Sequence, residues 1–133
     1  MKDQTIARAL LVLRVTLGVF LLQWGIEKFV VPGNTPAIWG YFYGLNIPEW
    51  TAYIFGTAEV ALAACFFLGL FPSFAYAAGA GLHAVSVIVS WRQLISPFAD
   101  PANHLFIAAL PVLGAFIALF MLRDWDEPLI GRR

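Results

Sequence analysis

The chain has 133 residues, 61% of them hydrophobic and only 12% charged, with eight basic against eight acidic groups and a single cysteine, Cys65. Soluble domains average about 45–50% apolar and about 25% charged residues, so this chain has too little charge to clothe a water-facing surface and must be solvated mainly by lipid. Zero formal net charge offers no field for nucleic acid, and one thiol excludes an internal disulfide, a CxxC redox pair and any all-cysteine metal site.

A membrane span needs about 20 mostly apolar residues to cross roughly 30 Å of hydrocarbon. Four stretches meet that requirement in chain order: 6–31, ended by Pro32-Gly33-Asn34; 50–71, with Glu59 as its internal charge; 73–91, after the Pro72 break; and 103–122. The first is too long for a secretory signal and lacks a small-x-small cleavage site, so it is expected to stay as an anchor. Short breaks between apolar runs make neighbours antiparallel. The expected fold is therefore an all-α membrane protein, an antiparallel four-helix transmembrane bundle forming one domain over 1–133. Lys2, Arg8, Arg123, Arg132 and Arg133 cluster at one set of span ends and only Lys28 and Arg92 at the other. The positive-inside rule then places both termini in the cytoplasm.

Between the first two spans lies Pro32–Glu49, unusually rich in rings for a loop: Trp39, Tyr41, Phe42 and Tyr43, with Gly40 and Gly44. An aromatic segment of this kind belongs in the membrane interface. Two readings stay open, an amphipathic segment at headgroup depth or a lid in which Trp39 and Phe42 cover the bundle mouth. Trp24, Trp39, Trp50 and Trp91 on the outer side and Trp125 on the inner side are placed as an interfacial belt.

A charge inside a span costs roughly 2.5–3.5 kcal/mol on insertion scales, so each one needs a partner or a purpose. Counted from the cytoplasmic ends of the apolar runs, Arg14 lies at about 12 Å, Glu59 at about 18 Å and His83 at about 15 Å. That depth predicts an Arg14–Glu59 ion pair with His83 as a third member, either locking two helices in register or serving a function. Arg14, Gly18, Leu21, Gly25 and Lys28 recur at helical spacing and form one stripe, whose glycines let a neighbouring backbone approach. On the third span His83, Ser86 and Ser90 share a face, and Ala77, Ala78, Gly79, Ala80, Gly81 and Ala84 offer a close-packing surface. His104 opens the fourth span about 12 Å above His83, which rules out a haem held by both histidines; no metal or haem site is expected from this chain alone. Glu27, Lys28, Glu49, Arg92, Asp100 and His104 read as solvated interface, where Trp91-Arg92-Gln93 could hold a polar headgroup or a partner loop. Asp124, Asp126 and Glu127 read as a solvated tail.

Arg14 followed by Leu17-Gly18, Phe20, Gly25 and Lys28-Phe29 resembles the first-helix signature of the DoxX-like family of small four-helix membrane proteins. Gly56-Thr57-Ala58-Glu59 and Leu68-Gly69-Leu70 resemble its second helix and the turn that follows. Ala63 stands where a glycine often follows the glutamate, and Phe71-Pro72-Ser73 lacks the basic residue common at that turn. The resemblance implies a multi-pass protein of the bacterial inner membrane, an accessory subunit of a redox system such as thiosulfate:quinone oxidoreductase or a factor in assembling other membrane proteins. Carried over by position, it implies Arg14, Lys28 and Glu59 as the functional set.

The leading expectation is a subunit associated with a quinone-linked redox system, binding a quinone or similar small ligand at Arg14, Lys28, Glu59 and His83. No electron carrier is evident in the chain, so it is expected to be an accessory subunit rather than a self-sufficient enzyme. Its partners would be membrane lipid and a larger membrane complex or further copies of itself. The alternative is a non-catalytic structural or assembly subunit. A solute or proton carrier would use the same charges, but no internal repeat of the transporter kind is visible.

Overall fold

A computed structural model describes residues 2–98 and 104–127. Its described residues form helices and turns with no strand. In order they are α1 (Lys2–Val30), α2 (Asn34–Tyr43), α3 (Thr51–Leu68), α4 (Pro72–Val89), the short α5 (Trp91–Ile95) and α6 (Ala109–Met121). A 3-10 turn, His104–Ala108, leads into α6, and a second, Arg123–Trp125, follows it. Among the described residues, four helical stretches are long and apolar enough to cross a membrane: Gln4–Val30, Thr51–Leu68, Pro72–Val89 and His104–Met121. These reproduce the four expected spans to within a few residues at each end. The expected aromatic segment is α2, closed by Gly44 at φ 66°, a left-handed conformation that glycine adopts without a Cβ penalty.

The four long helices form a closed ring: α1 lies along α3, α4 lies along α6, α3 touches α4 and α6 returns to α1. Every neighbour in that ring is antiparallel. We call the end holding the start of α1 and the end of α6 the base, and the end holding α2 the rim. At the base, α3 passes into α4 through a turn with both Gly69 (φ 72°) and Phe71 (φ 47°) left-handed. Leu70 N–H donates to the Cys65 carbonyl at 2.9 Å, and Pro72 opens α4, where its missing N–H costs nothing.

The centre of the ring is filled by side chains from all four helices: Leu10, Leu17 and Leu21, Leu62, Ala63 and Phe66, Ala75 and Tyr76, Phe116 and Leu119. Rings dominate it. Phe66 meets Tyr76 at 5.1 Å and Phe116 at 5.7 Å between centroids. Large apolar side chains such as Val12, Val19, Phe74, Ile88 and Ile117 point outward, as lipid-facing residues must. The glycine stripe expected on α1 is where α3 docks. A Cβ on Gly18 would lie 2.7 Å from the Phe67 ring, one on Gly25 2.9 Å from Val60, and one on Gly56 2.8 Å from Phe29. These facing pairs set the register of α1 on α3. On α4 the close-packing surface is narrower than expected: Gly79 lies against Phe66 and Phe116, whereas a Cβ on Gly81 would meet nothing within 4 Å.

Candidate functional site

The buried polar groups do not form one layer. Among the described residues, the charged groups and the histidine within the spans occupy three levels, and each is held by a different set of helices. At the base, Arg14 is fully buried on α1. Its Nη1 donates to Asp126 Oδ1 at 2.7 Å and to the Glu127 carbonyl at 2.8 Å. The Tyr76 hydroxyl donates to the other carboxylate oxygen, Asp126 Oδ2, at 2.5 Å. Both charges of the Arg14–Asp126 pair are sealed from solvent, with side-chain exposure of 0%. The tight 3-10 turn after α6 makes this possible by aiming Trp125 outward and Asp126 inward. Arg123 fastens the turn: its Nε donates to Ser73 Oγ at 3.2 Å, and its guanidinium lies 4.1 Å over the Phe120 ring. Asp126 therefore belongs to the core, not to a solvated tail.

The middle level is His83 on α4. Its Nε2 lies 2.8 Å from the Ala109 carbonyl at the start of α6. A carbonyl can only accept, so Nε2 carries the proton and donates. Phe20 packs edge-on to its ring at 5.4 Å, and the Phe116 ring lies tilted by 34° at 5.6 Å. His83 is a cross-helix tie and is not a third member of an arginine–glutamate cluster. Ser86 and Ser90 each return their hydroxyl to their own helix, Ser86 to the Leu82 carbonyl and Ser90 to the Ser86 carbonyl.

Near the rim, Lys28 of α1 meets Glu59 of α3 at 3.1 Å. Gly56 makes room for the lysine stem, since a Cβ there would sit 3.0 Å from Lys28 Cβ. Lys28 Nζ also lies 3.3 Å from the Trp24 carbonyl, to which it donates. The pair keeps some access, with side-chain exposure of 13% for Lys28 and 20% for Glu59. Glu59 Oε2 and Glu27 Oε1 are buried atoms without a hydrogen-bond partner among the described residues, while Glu27 Oε2 accepts from Asn34 Nδ2 at 3.4 Å.

The expected Arg14–Glu59 pair is thus replaced by two pairs, Arg14–Asp126 and Lys28–Glu59. The depth count placed the membrane boundary of α1 at its first apolar residue. The glycine contacts instead bring Gly18 level with Phe67 and Gly25 level with Val60. In that register Arg14 lies beyond the end of α3, about 18 Å along the axis from Glu59. Arg14 and Lys28, on the same helix, are about 21 Å apart.

The DoxX family model matches residues 9–92 of this chain. The chain belongs to the DoxX family. No curated protein and no solved structure matches it. The matched stretch carries Arg14, Lys28, Glu59, Tyr76 and His83, whereas Asp126 lies outside it. The resemblance thus pointed to Arg14, Lys28 and Glu59, but the partner that neutralises Arg14 comes from beyond the family match. Asp126 and Tyr76 escaped sequence reasoning. Asp126 follows an apolar helix in a charged tail, where acidic residues are ordinarily solvated, and Tyr76 sits in an apolar run without distinguishing spacing.

Of the two rings singled out in the aromatic segment of this DoxX protein, Trp39 stacks flat on Phe55 of α3, with centroids 5.3 Å apart and planes within 2°. Phe42 instead borders a cleft with Val89 of α4 and the first residues of α5. Because Phe55 and Glu59 are one turn apart on α3, Trp39 lies one turn toward the rim from the Lys28–Glu59 pair. Among the other interfacial residues, Arg92 lies 5.3 Å over the Trp91 ring and His104 packs on Phe98. Asp100 falls outside the described residues.

Proposed function

We propose that this DoxX-family membrane protein is an accessory subunit of a quinone-linked redox system in a bacterial inner membrane, and that a quinone headgroup or similar small ligand meets it at Lys28 and Glu59. One observation carries the reading: this pair alone among the ion pairs of the described residues joins partial exposure to an unpartnered carboxylate oxygen, Glu59 Oε2. An ammonium has three N–H donors. Glu59 and the Trp24 carbonyl take two of them, which leaves one for a ligand carbonyl. Glu59 Oε2 and Glu27 Oε1 can accept from ligand hydroxyls. A donor beside two acceptors suits a headgroup that alternates between carbonyl and hydroxyl forms. Such a ligand supplies two-electron, two-proton chemistry, and its electrons would come from a partner protein. Lys28 and Glu59 would bind it and hold the proton; α2 would be the lid, with Trp39 above Glu59, Phe42 at the far end and Asn34 tied to Glu27.

The second reading, a structural or assembly subunit, draws support from the filled bundle centre, where Phe66, Tyr76 and Phe116 are fully buried. Quinone titration in nanodiscs separates the two. Saturable binding is expected, weakened about tenfold or more by Glu59→Gln and by Lys28→Met, as loss of charge-assisted hydrogen bonds implies. Stoichiometric co-purification with a larger complex, without any saturable quinone binding, would leave the assembly role.

The same reading places both termini in the cytoplasm. It is supported by the sequence, in which Lys2, Arg8, Arg123, Arg132 and Arg133 flank the start of the first span and the end of the last, against Lys28 and Arg92 at the opposite span ends. A reporter fused after Arg133 should be active only in its cytoplasmic form; activity confined to the periplasmic form would invert the topology.

A further inference from the structure

At the rim, α4 ends at Val89 and the chain bends at Ser90 into α5. Between this corner and the end of α2 lies a cleft of about 330 Å³, lined by Tyr41, Phe42, Val89, Trp91, Arg92 and Gln93. The end of a span marks its depth, so the cleft opens at the level of lipid headgroups. Three of its walls are aromatic. Its one cation, Arg92, has no ion-pair partner among the described residues and rests on the Trp91 ring. Gln93 uses its Nε2 toward the Tyr41 hydroxyl at 3.5 Å, while its Oε1 is buried with no hydrogen-bond partner among the described residues.

We propose that this cleft binds one phospholipid headgroup of the rim-side leaflet, with the phosphate on Arg92 and an N–H or O–H donor of the headgroup on Gln93 Oε1. A guanidinium without a carboxylate beside it is a ready partner for a phosphodiester. A buried amide oxygen lacking a donor costs free energy until one arrives. Both needs are met by a headgroup that carries a phosphate and a donor, such as phosphoethanolamine or phosphoglycerol. Phosphocholine meets only the first, because its quaternary nitrogen has no N–H. The aromatic walls accept the glycerol backbone and the upper acyl carbons. This site is separate from the proposed quinone contact at Lys28 and Glu59 and stands without it.

Lipid retention by native mass spectrometry, after purification in equal mixtures of the three lipids, tests the proposal. One phosphatidylethanolamine or phosphatidylglycerol molecule should be retained about fivefold over phosphatidylcholine, the ratio one hydrogen bond supplies. Arg92→Gln should reduce retention of all three. Gln93→Leu should erase the preference while leaving phosphatidylcholine retention unchanged, with helicity by circular dichroism confirming that each variant is folded. Should Arg92→Gln fail to fold, the Gln93→Leu result decides alone. Equal retention of the three lipids by the native chain, or a preference that survives Gln93→Leu, overturns the proposal. Glycerol 3-phosphate or inorganic phosphate at millimolar concentration should not displace the lipid; displacement would identify a soluble phosphate as the occupant and overturn the assignment to lipid.

Discussion

Asp126→Ala is expected to cost about 3–5 kcal/mol of unfolding free energy, the loss that follows when one partner of a buried ion pair is removed. The carboxylate satisfies two groups at once, Arg14 Nη1 and the Tyr76 hydroxyl. Its deletion would strand a cation whose Nε and Nη2 already lack a hydrogen-bond partner among the described residues. Tyr76→Phe removes only a hydroxyl and should cost about 1–2 kcal/mol. Arg14→Met combined with Asp126→Leu should recover most of the loss, since an apolar pair of similar volume avoids the desolvation of both charges. Unfolding in mixed micelles, followed by circular dichroism, gives these values. If Asp126→Ala unfolds at the native midpoint, the tail does not neutralise Arg14. Because the pair is sealed and its Asp126 half lies outside the family match, the double variant should also retain whatever activity the rim pair supports.

Glycine replacements provide the second large effect. Gly56→Ala is expected to destabilise by about 1–3 kcal/mol through overpacking. Its added methyl would sit 2.8 Å from the Phe29 ring and 3.1 Å from the Gly25 carbonyl oxygen. The second neighbour is backbone and can yield only if α1 moves off α3. Gly79→Ala should fall in the same range, because the rings it meets, Phe66 and Phe116, are fully buried and have nowhere to turn. Gly81→Ala is the control. It meets nothing within 4 Å, so the helix-propensity difference should act alone and stabilise by up to about 1 kcal/mol. Equal losses at all three positions would mean that close helix packing at Gly56 and Gly79 is not what these glycines serve.

The sequence alone was enough to find the four spans, the aromatic segment between the first two and the close-packing stripe on α1. Each of these is a local property. Lipid demands that every spanning segment satisfy its own backbone hydrogen bonds and present an apolar exterior, so length and composition reveal a span without reference to any other. The stripe was visible because Gly18 and Gly25 recur at helical spacing on the face that carries Arg14 and Lys28. What the tertiary structure decided was which charge meets which. Counted depth along the spans pairs Arg14 with Glu59. Gly18 against Phe67 and Gly25 against Val60 put them on different levels instead, and a turn after α6 swung Asp126 beneath the bundle. Burial of Asp126 has no local signature, because it depends on a contact with a residue 112 positions away. Helix formation and lipid solvation accumulate residue by residue along the chain, whereas a buried ion pair depends on the relative register of helices far apart in sequence, which only packing sets.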